Sequence, residues 1–170
     1  MALNRTNNTN YSEEVLMAID RMPIRELFVK LEVLTWKEEP IKEIQGVLTG
    51  GNISINGKSS VRRTCTLNFL TVDNTVEDYI QLDTKFKLYI GLKNHLPIKY
   101  KELGDTLWFK QGTFVFTKAS FSHNATSVTV NVTAQDKMCL LNGTCGGTIP
   151  DFVVFHEIEM TVQDRINELS

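Results

Sequence analysis

The sequence lacks several features that would place it in a common class of protein. It has no run of about 18 consecutive apolar residues, so no segment has the length of a membrane-spanning helix. Its formal net charge is only −2, which excludes a strongly basic chain and predicts no sequence-specific nucleic-acid partner. The first fourteen residues, MALNRTNNTNYSEE, have no apolar core, so we expect a polar arm and not a signal peptide.

Cysteine and histidine, the residues that most often act as nucleophiles, bases or metal ligands, are also scarce. The chain has three cysteines and three histidines: Cys65, Cys139, Cys145, His95, His123 and His156. An odd number of cysteines without an export signal predicts reduced thiols. The histidines are far apart in sequence, and none has a cysteine or carboxylate at the spacing of metal ligands. The sequence also has no G-x-S-x-G motif, no H-E-x-x-H motif and no glycine-rich loop that would bind phosphate. We therefore expect a protein that is not an enzyme and has no cofactor, no metal and no catalytic residues.

The most informative stretch of the chain is 112–141. Apolar residues at 128, 130, 132 and 134 alternate with polar ones, which predicts a strand with one apolar and one hydroxyl-rich face. The preceding strand, 113–121, supplies Phe114, Phe116 and Phe121 to the apolar side, and 123–126 is a short polar turn. From Asp136 the pattern changes to a short helix that ends at Asn142-Gly143.

Other segments complete a pattern of about eight strands. Alternation predicts strands at 27–33, 59–70 and 85–93, and a further strand begins at 107. We expect 41–49 to be a strand with a bulge at Gly46, followed by a connection at Gly50-Gly51, a short strand at 52–55 and a hairpin turn at Asn56-Gly57. Short helices are predicted at 12–22, capped by Ser12, and at 74–82. The fold class is therefore mainly β: an antiparallel β-barrel or sandwich with short helices and a C-terminal amphipathic helix.

We divide the chain into three parts. Residues 1–24 are an N-terminal arm and short helix, 25–147 are the β-barrel domain, and 148–170 are a C-terminal strand and helix. The last segment carries one apolar stripe and has little left in the chain to bury it against, so we expect it to contact a partner. The stripe consists of Ile158, Val162, Ile166 and Leu169.

Arg62-Arg63 is the one pair of charges inside a strongly apolar strand. One of the two must point toward the apolar face, where an arginine needs a carboxylate or several carbonyls. Candidate partners are Asp136, Asp73 and Glu77; alternatively Arg63 lies at a sheet edge and reaches solvent, or it forms an ion pair between subunits. The predicted interface residues are Arg62, Arg63, the outward-facing Lys85 and Lys87, and the four residues of the C-terminal stripe.

Two further hypotheses stay open at this point. Trp108, Phe109, Phe114 and Phe116 could form a stacking platform for sugars, which would make the chain a carbohydrate-binding β-module of a virion or secreted protein; a role in the core is favoured. Cys139 with a distant histidine could act as a nucleophile in a hydrolase, although no orienting third group is present.

Several motifs in their order resemble a known family. They are GGNISI (50–55), SVRRT (60–64), KFKLYIGL (85–92), WFKQGTF (108–114) and DKMCLLNG (136–143). Over about residues 25–147 the chain resembles tail and baseplate structural proteins of tailed bacteriophages, in particular hub-type proteins whose β-barrel domains form or continue the tail tube. The resemblance implies a non-enzymatic virion component, assembled in the host cytoplasm, that forms a ring with copies of itself and contacts other tail or baseplate proteins. Hub proteins of this kind are usually longer, which leaves a reduced hub, a wedge component or half of a split protein as alternatives.

Overall fold

The computed structural model describes residues 11–143 and 145, and this part of the chain is mainly β, as predicted. Its strands are β1 (Leu27–Leu34), β2 (Pro40–Ile55), β3 (Arg63–Thr71), β4 (Lys85–Lys93), β5 (Thr106–His123) and β6 (Val128–Asp136). Its helices are α1 (Glu13–Asp20), α2 (Val76–Tyr79) and two 3₁₀ helices, Ile98–Leu103 and Lys137–Leu140. The predicted C-terminal strand and helix lie outside the described residues.

The strands form one closed antiparallel barrel in the order β1-β2-β3-β6-β5-β4, with β4 pairing back onto β1. β2 and β5 are long because each of them pairs with two neighbours in succession. The first part of β2 pairs with β1 and the rest with β3, while the first part of β5 pairs with β4 and the rest with β6. Of the two architectures that the sequence left open, the structure has the barrel.

The barrel interior is filled by the apolar residues that alternate along the strands. The apolar face predicted for β6 is confirmed, because its four valine and alanine positions are all buried. The alternating apolar residues of β1 and β4 are buried at Val29, Leu31, Val33, Phe86, Leu88 and Leu92, whereas Ile90 is half-buried and Leu27, at the start of β1, is exposed. The largest side chains with no exposed surface are Phe69, Phe86, Phe114 and Phe116. The rings of Phe86 and Phe116 stack with their centroids 4.0 Å apart, so neighbouring strands contribute to one aromatic centre.

The prediction for β2 was wrong in two respects. Gly50-Gly51 is not a connection, because β2 runs without interruption from Pro40 to Ile55. The bulge lies at Thr49 and not at Gly46, which pairs with Val29. The Thr49 hydroxyl donates to the Asn68 carbonyl at 2.9 Å and so replaces a ladder bond that the bulge removes.

β5 has a similar bulge at Thr117, again with a threonine hydroxyl that donates to a main-chain carbonyl. The register with β6 shifts between Phe116 and Lys118, and the Thr117 hydroxyl donates to the Thr133 carbonyl at 3.1 Å. A one-residue bulge reverses the alternation of side chains. Phe114 and Phe116 before the bulge, and Phe121 after it, therefore all pack on the core, as the sequence predicted.

The β2–β3 connection is longer than the predicted hairpin turn. The Asn56 amide donates to the Arg62 carbonyl at 2.8 Å, and β3 starts at Arg63 and not near Ser59. The Asn56 side chain accepts from the Lys58 amide at 3.1 Å, which opens an Asx turn in place of a two-residue turn.

Short helices pack against the barrel. α2 places Val76 in the main core, and α1 places Val15 in a second cluster with Leu92 and Leu107. Ser12 caps α1 as predicted, with its hydroxyl accepting from the Val15 amide at 3.5 Å. No helix in the described residues has both the length and the apolar character needed to cross a bilayer.

Asp73 holds the segment between β3 and α2. Its Oδ1 accepts from the Thr75 hydroxyl at 2.7 Å and from the Thr75 amide at 2.9 Å, and Lys42 lies 3.0 Å from its Oδ2. These contacts, the Thr75 hydroxyl first, lower the pKa of Asp73 below its ordinary value. The carboxylate thus stabilises the fold above about pH 4, and this contribution is lost as the pH falls through the lowered pKa.

We expect Asp73→Asn to destabilise the protein at pH 7 by less than about 1 kcal/mol. The difference from the unsubstituted protein should shrink toward pH 3, because only the unsubstituted carboxylate loses its contacts by protonation. Urea unfolding at pH 7 and pH 3 measures this difference in the free energy of unfolding. The control is Asp78→Asn, because Asp78 is an exposed carboxylate in α2. A difference for Asp73→Asn that does not change with pH would contradict this account.

Candidate assembly surface

Arg63 lies at the first position of β3, on the inward side, but at the end of the barrel where its side chain is exposed. Its guanidinium donates to the Gln111 carbonyl of β5 at 3.0 Å, and its main-chain N–H donates to Asp136 Oδ2 at 2.8 Å. Of the three candidate carboxylates, Asp136 therefore contacts Arg63, through the main chain. Asp73 pairs with Lys42, and Glu77 contacts His123 at 2.6 Å.

Asp136 links this contact to the following helix. Its other oxygen, Oδ1, accepts from the Met138 amide at 3.0 Å and caps the helix Lys137–Leu140. The predicted helix start is confirmed, and the helix is a single 3₁₀ turn. One carboxylate thus joins the start of β3 to the end of β6 and fixes the direction in which the chain leaves the barrel.

Lys85 and Lys87 point outward from β4, and each ammonium group has a partner within the chain. Lys85 Nζ donates to the Trp36 carbonyl at 2.6 Å and lies 3.7 Å from Glu38. Lys87 Nζ lies 3.4 Å from Glu32. The apolar parts of these lysines still cover the outer face of β4.

The structure brings the four predicted basic residues to one side of the barrel. Lys85 pairs with Val115 and Lys87 with Thr113 in the β4–β5 register, while Arg63 reaches Gln111 two residues before Thr113. A cleft of about 460 Å³ lies here. It is lined by Arg62, Arg63, Thr113, Asp136, Lys137, Met138 and Leu141. The other predicted interface residues, Ile158, Val162, Ile166 and Leu169, lie outside the described residues.

Large apolar side chains are exposed beside the cleft. Trp36 is 80% exposed at the β1–β2 turn, and Met138 and Leu141 are 44% and 46% exposed. Glu38 accepts from Lys137 at 2.7 Å, which holds the Trp36 turn against the Lys137–Leu140 helix. The same contact lowers the pKa of Glu38. We call the cleft residues together with Trp36 and Lys85 the assembly surface.

Charges on the assembly surface are unequal. Arg62, Arg63, Lys85 and Lys137 are its cations. Asp136 is used as a helix cap, and Glu38 beside the surface pairs with both lysines, so the two arginines carry the unmatched positive charge. A partner that fits this surface would carry apolar side chains together with carboxylates.

Aromatic residues of the predicted stacking platform do not share one exposed plane. Phe114 and Phe116 are fully buried in the barrel, and Trp108 is half-buried. The Lys30 ammonium lies over the Trp108 ring at 5.0 Å from its centroid and over Tyr89 at 4.9 Å. Lys30 also pairs with Glu43 at 3.5 Å, so the outer face of β1 and β4 is a network of matched charges.

The outer face of β3, β6 and the second half of β5 differs from that network. As predicted for β6, it is rich in hydroxyl and amide groups, and Lys118 is its only charged side chain among the outward residues of these strand segments. The polar outward residues include Thr64, Thr66, Asn68, Lys118, Ser120, Ser122, Thr129, Asn131 and Thr133, and the apolar Leu70 lies among them.

The cysteine and histidine side chains that the hydrolase hypothesis would use are buried or paired with a carboxylate. Burial raises the pKa of Cys139, the nucleophile of the hydrolase hypothesis, to about 12, so its thiol is protonated at neutral pH. His95 contacts Glu26 at 3.2 Å, as His123 contacts Glu77. In the part of the chain that the structure describes, no three His, Cys, Asp or Glu side chains are grouped as a metal site requires.

These observations define a closed six-stranded antiparallel β-barrel with a basic, partly apolar surface beside its last helical turn. No family model, curated protein or solved structure matches the chain.

Proposed function

We propose that this protein is a non-enzymatic structural component of a bacteriophage tail or baseplate, a hub or tube-continuing ring subunit. It assembles with copies of itself and with neighbouring tail proteins in the host cytoplasm and remains in the virion. The observation that carries the proposal is the assembly surface, where Arg62, Arg63 and Lys85 of the predicted interface lie beside an exposed tryptophan. The closed barrel supports it as well, because a β-barrel domain is what the resemblance in motif order implies.

Trp36 is the residue that we expect to matter most in this surface. Tryptophan is among the residues that contribute most binding free energy at protein interfaces, because it buries a large rigid area. Here it lies at the tip of a turn whose main chain is held by Lys85 at 2.6 Å. A side chain that is exposed on a fixed turn loses little conformational freedom on binding.

Residues 151–170 have the negative charge and the apolar side chains that we expect of a partner for the assembly surface. Residues 151–170 contain five acidic residues, Asp151, Glu157, Glu159, Asp164 and Glu168, against one basic residue, Arg165. They also contain the apolar stripe that begins at Ile158. We therefore propose that this segment of one copy binds the assembly surface of a neighbouring copy, which links subunits into a ring.

Self-association of the full chain tests this proposal. We expect sedimentation velocity over a wide range of protein concentration to show concentration-dependent oligomers. Trp36→Ser should raise the dissociation constant by about 30-fold or more, the effect of losing at least about 2 kcal/mol at an interface hot spot. Added salt should weaken association, because opposite charges meet.

The chain offers a matched control for Trp36. Ile98 is also 80% exposed and lies in the other 3₁₀ helix, near α1, so Ile98→Ser removes a similarly exposed apolar side chain elsewhere. Association should be unchanged in Ile98→Ser. A full chain that stays monomeric at every concentration, or two variants with equal effects, would contradict the proposal.

A further inference from the structure

The last helical turn brings two thiols together. The Cys145 amide donates to the Cys139 carbonyl at 3.0 Å. Burial, and after it the neighbouring Cys145 thiol, raises the pKa of Cys139 to about 12. A disulfide joins residues whose Cα atoms are usually about 4.4–6.8 Å apart. The main-chain hydrogen bond holds the two cysteines side by side, as a disulfide between them requires.

The two thiols differ in access to solvent. Cys139 has no exposed surface, whereas Cys145 is half-buried and can meet a small reagent. Cys65 is also buried, but it points into the barrel interior among apolar side chains. The three cysteines are free thiols, so the chain supplies one adjacent pair and one isolated thiol for comparison.

We propose that Cys139 and Cys145 are a redox-active pair that closes to an intrachain disulfide when a low-molecular-weight disulfide such as oxidised glutathione is present. In the first step the Cys145 thiolate attacks one sulfur of oxidised glutathione. A bond forms between Cys145 and glutathione, the glutathione disulfide breaks, and one glutathione thiolate leaves.

In the second step the Cys139 sulfur, after loss of its proton to solvent, attacks Cys145 Sγ. The Cys139–Cys145 bond forms and the second glutathione leaves as a thiolate, which takes up a proton. Two protein thiols are oxidised by two electrons, and one oxidised glutathione is reduced to two thiols. Cys145 reacts first because it is the accessible thiol, while burial keeps Cys139 protonated.

The disulfide would lie between the assembly surface and the acidic C-terminal segment. Cys139 stands between Met138 and Leu141 of the assembly surface, and Cys145 is the last described residue before the acidic C-terminal segment. Oxidation would fix the direction in which the chain leaves the helix. The disulfide needs only the two thiols and not the proposed function, so a chain that never self-associates would still form this disulfide.

Thiol mapping of the full chain tests the proposal. The protein is equilibrated with glutathione buffers of increasing oxidised fraction, quenched with an alkylating reagent and digested with trypsin. Cleavage after lysine and arginine releases Cys139 and Cys145 together in peptide 138–165 and Cys65 in peptide 64–85. We expect peptide 138–165 to lose about 2 Da and escape alkylation. At the same ratio, the oxidised fraction of Cys65 should be at least tenfold smaller.

Single substitutions distinguish the steps. Cys139→Ser should stop at the mixed disulfide between Cys145 and glutathione, and Cys145→Ser should leave Cys139 as an alkylated thiol. Cys65→Ala should oxidise at the same glutathione ratio as the unsubstituted chain. Alkylation of both Cys139 and Cys145 in excess oxidised glutathione, with an unchanged far-UV circular dichroism spectrum, would overturn the proposal. Glutathione retained on Cys145 in the unsubstituted chain would overturn it as well.

Discussion

Replacing Phe86 with alanine is expected to lower the free energy of unfolding by about 3–5 kcal/mol. Phe86 has no exposed surface and stacks on Phe116 at 4.0 Å and on Phe114 at 6.0 Å between centroids. Its loss opens a cavity in the aromatic centre that the surrounding strands cannot fill, because their register is fixed on both sides. For a domain whose whole stability is about 5–15 kcal/mol, this is a large fraction.

Equilibrium unfolding in urea, followed by circular dichroism, measures this effect. Tyr89→Ala is the control, because Tyr89 lies on the same strand but faces outward and is half-buried. Tyr89→Ala should lower the free energy of unfolding clearly less than Phe86→Ala does. Equal losses for the two variants would show that the barrel interior is not the main source of stability.

Gly46→Ala is the second substitution with a large expected effect, a loss of about 1–3 kcal/mol or more. A Cβ atom at Gly46 would lie 2.5 Å from the Leu70 carbonyl oxygen and 2.7 Å from the Phe69 ring. Both neighbours belong to β3, and the main-chain oxygen cannot move without disturbing the β2–β3 ladder. The added methyl group therefore has to displace backbone.

Gly50→Ala provides the matched comparison within β2. A Cβ at Gly50 meets only the Asn68 side-chain amide, at 3.7 Å, an ordinary contact. We expect its midpoint in a urea titration to stay close to that of the unsubstituted protein, while that of Gly46→Ala falls. A reversed order would mean that the close approach at Gly46 does not persist in solution.

Much of the barrel could be predicted because three of its strands are half-buried. In β1, β4 and β6 every second residue is an inward-facing apolar one, which gives a period of two that the sequence displays directly, although Phe28 and Leu34 on the other side of β1 are apolar as well. β2 does not show this pattern. Its bulge at Thr49 reverses the alternation, and Gly50-Gly51 resembles a turn, so only pairing with both β1 and β3 identifies it as one strand.

The assembly surface could be predicted in part, for a similar reason. Arg62, Arg63 and Lys85 stand out because they interrupt or flank strands with clear patterns. Trp36 does not, because a single apolar residue in a turn has no periodicity. Its closeness to the last helical turn depends on barrel closure, which brings Glu38 to Lys137 across 99 positions of sequence.

The closed order of the six strands also limits how copies of this protein can associate. β1, β3, β4 and β6 have a partner on both sides along their length, so they present no row of unpaired main-chain N–H and C=O groups to a neighbouring molecule. Intermolecular strand addition to the closed barrel is therefore confined to β2 and β5, each half of which is paired on one side only. At the other four strands, copies of this protein must recognise one another through side chains, and such contacts can form and separate while every strand stays in place.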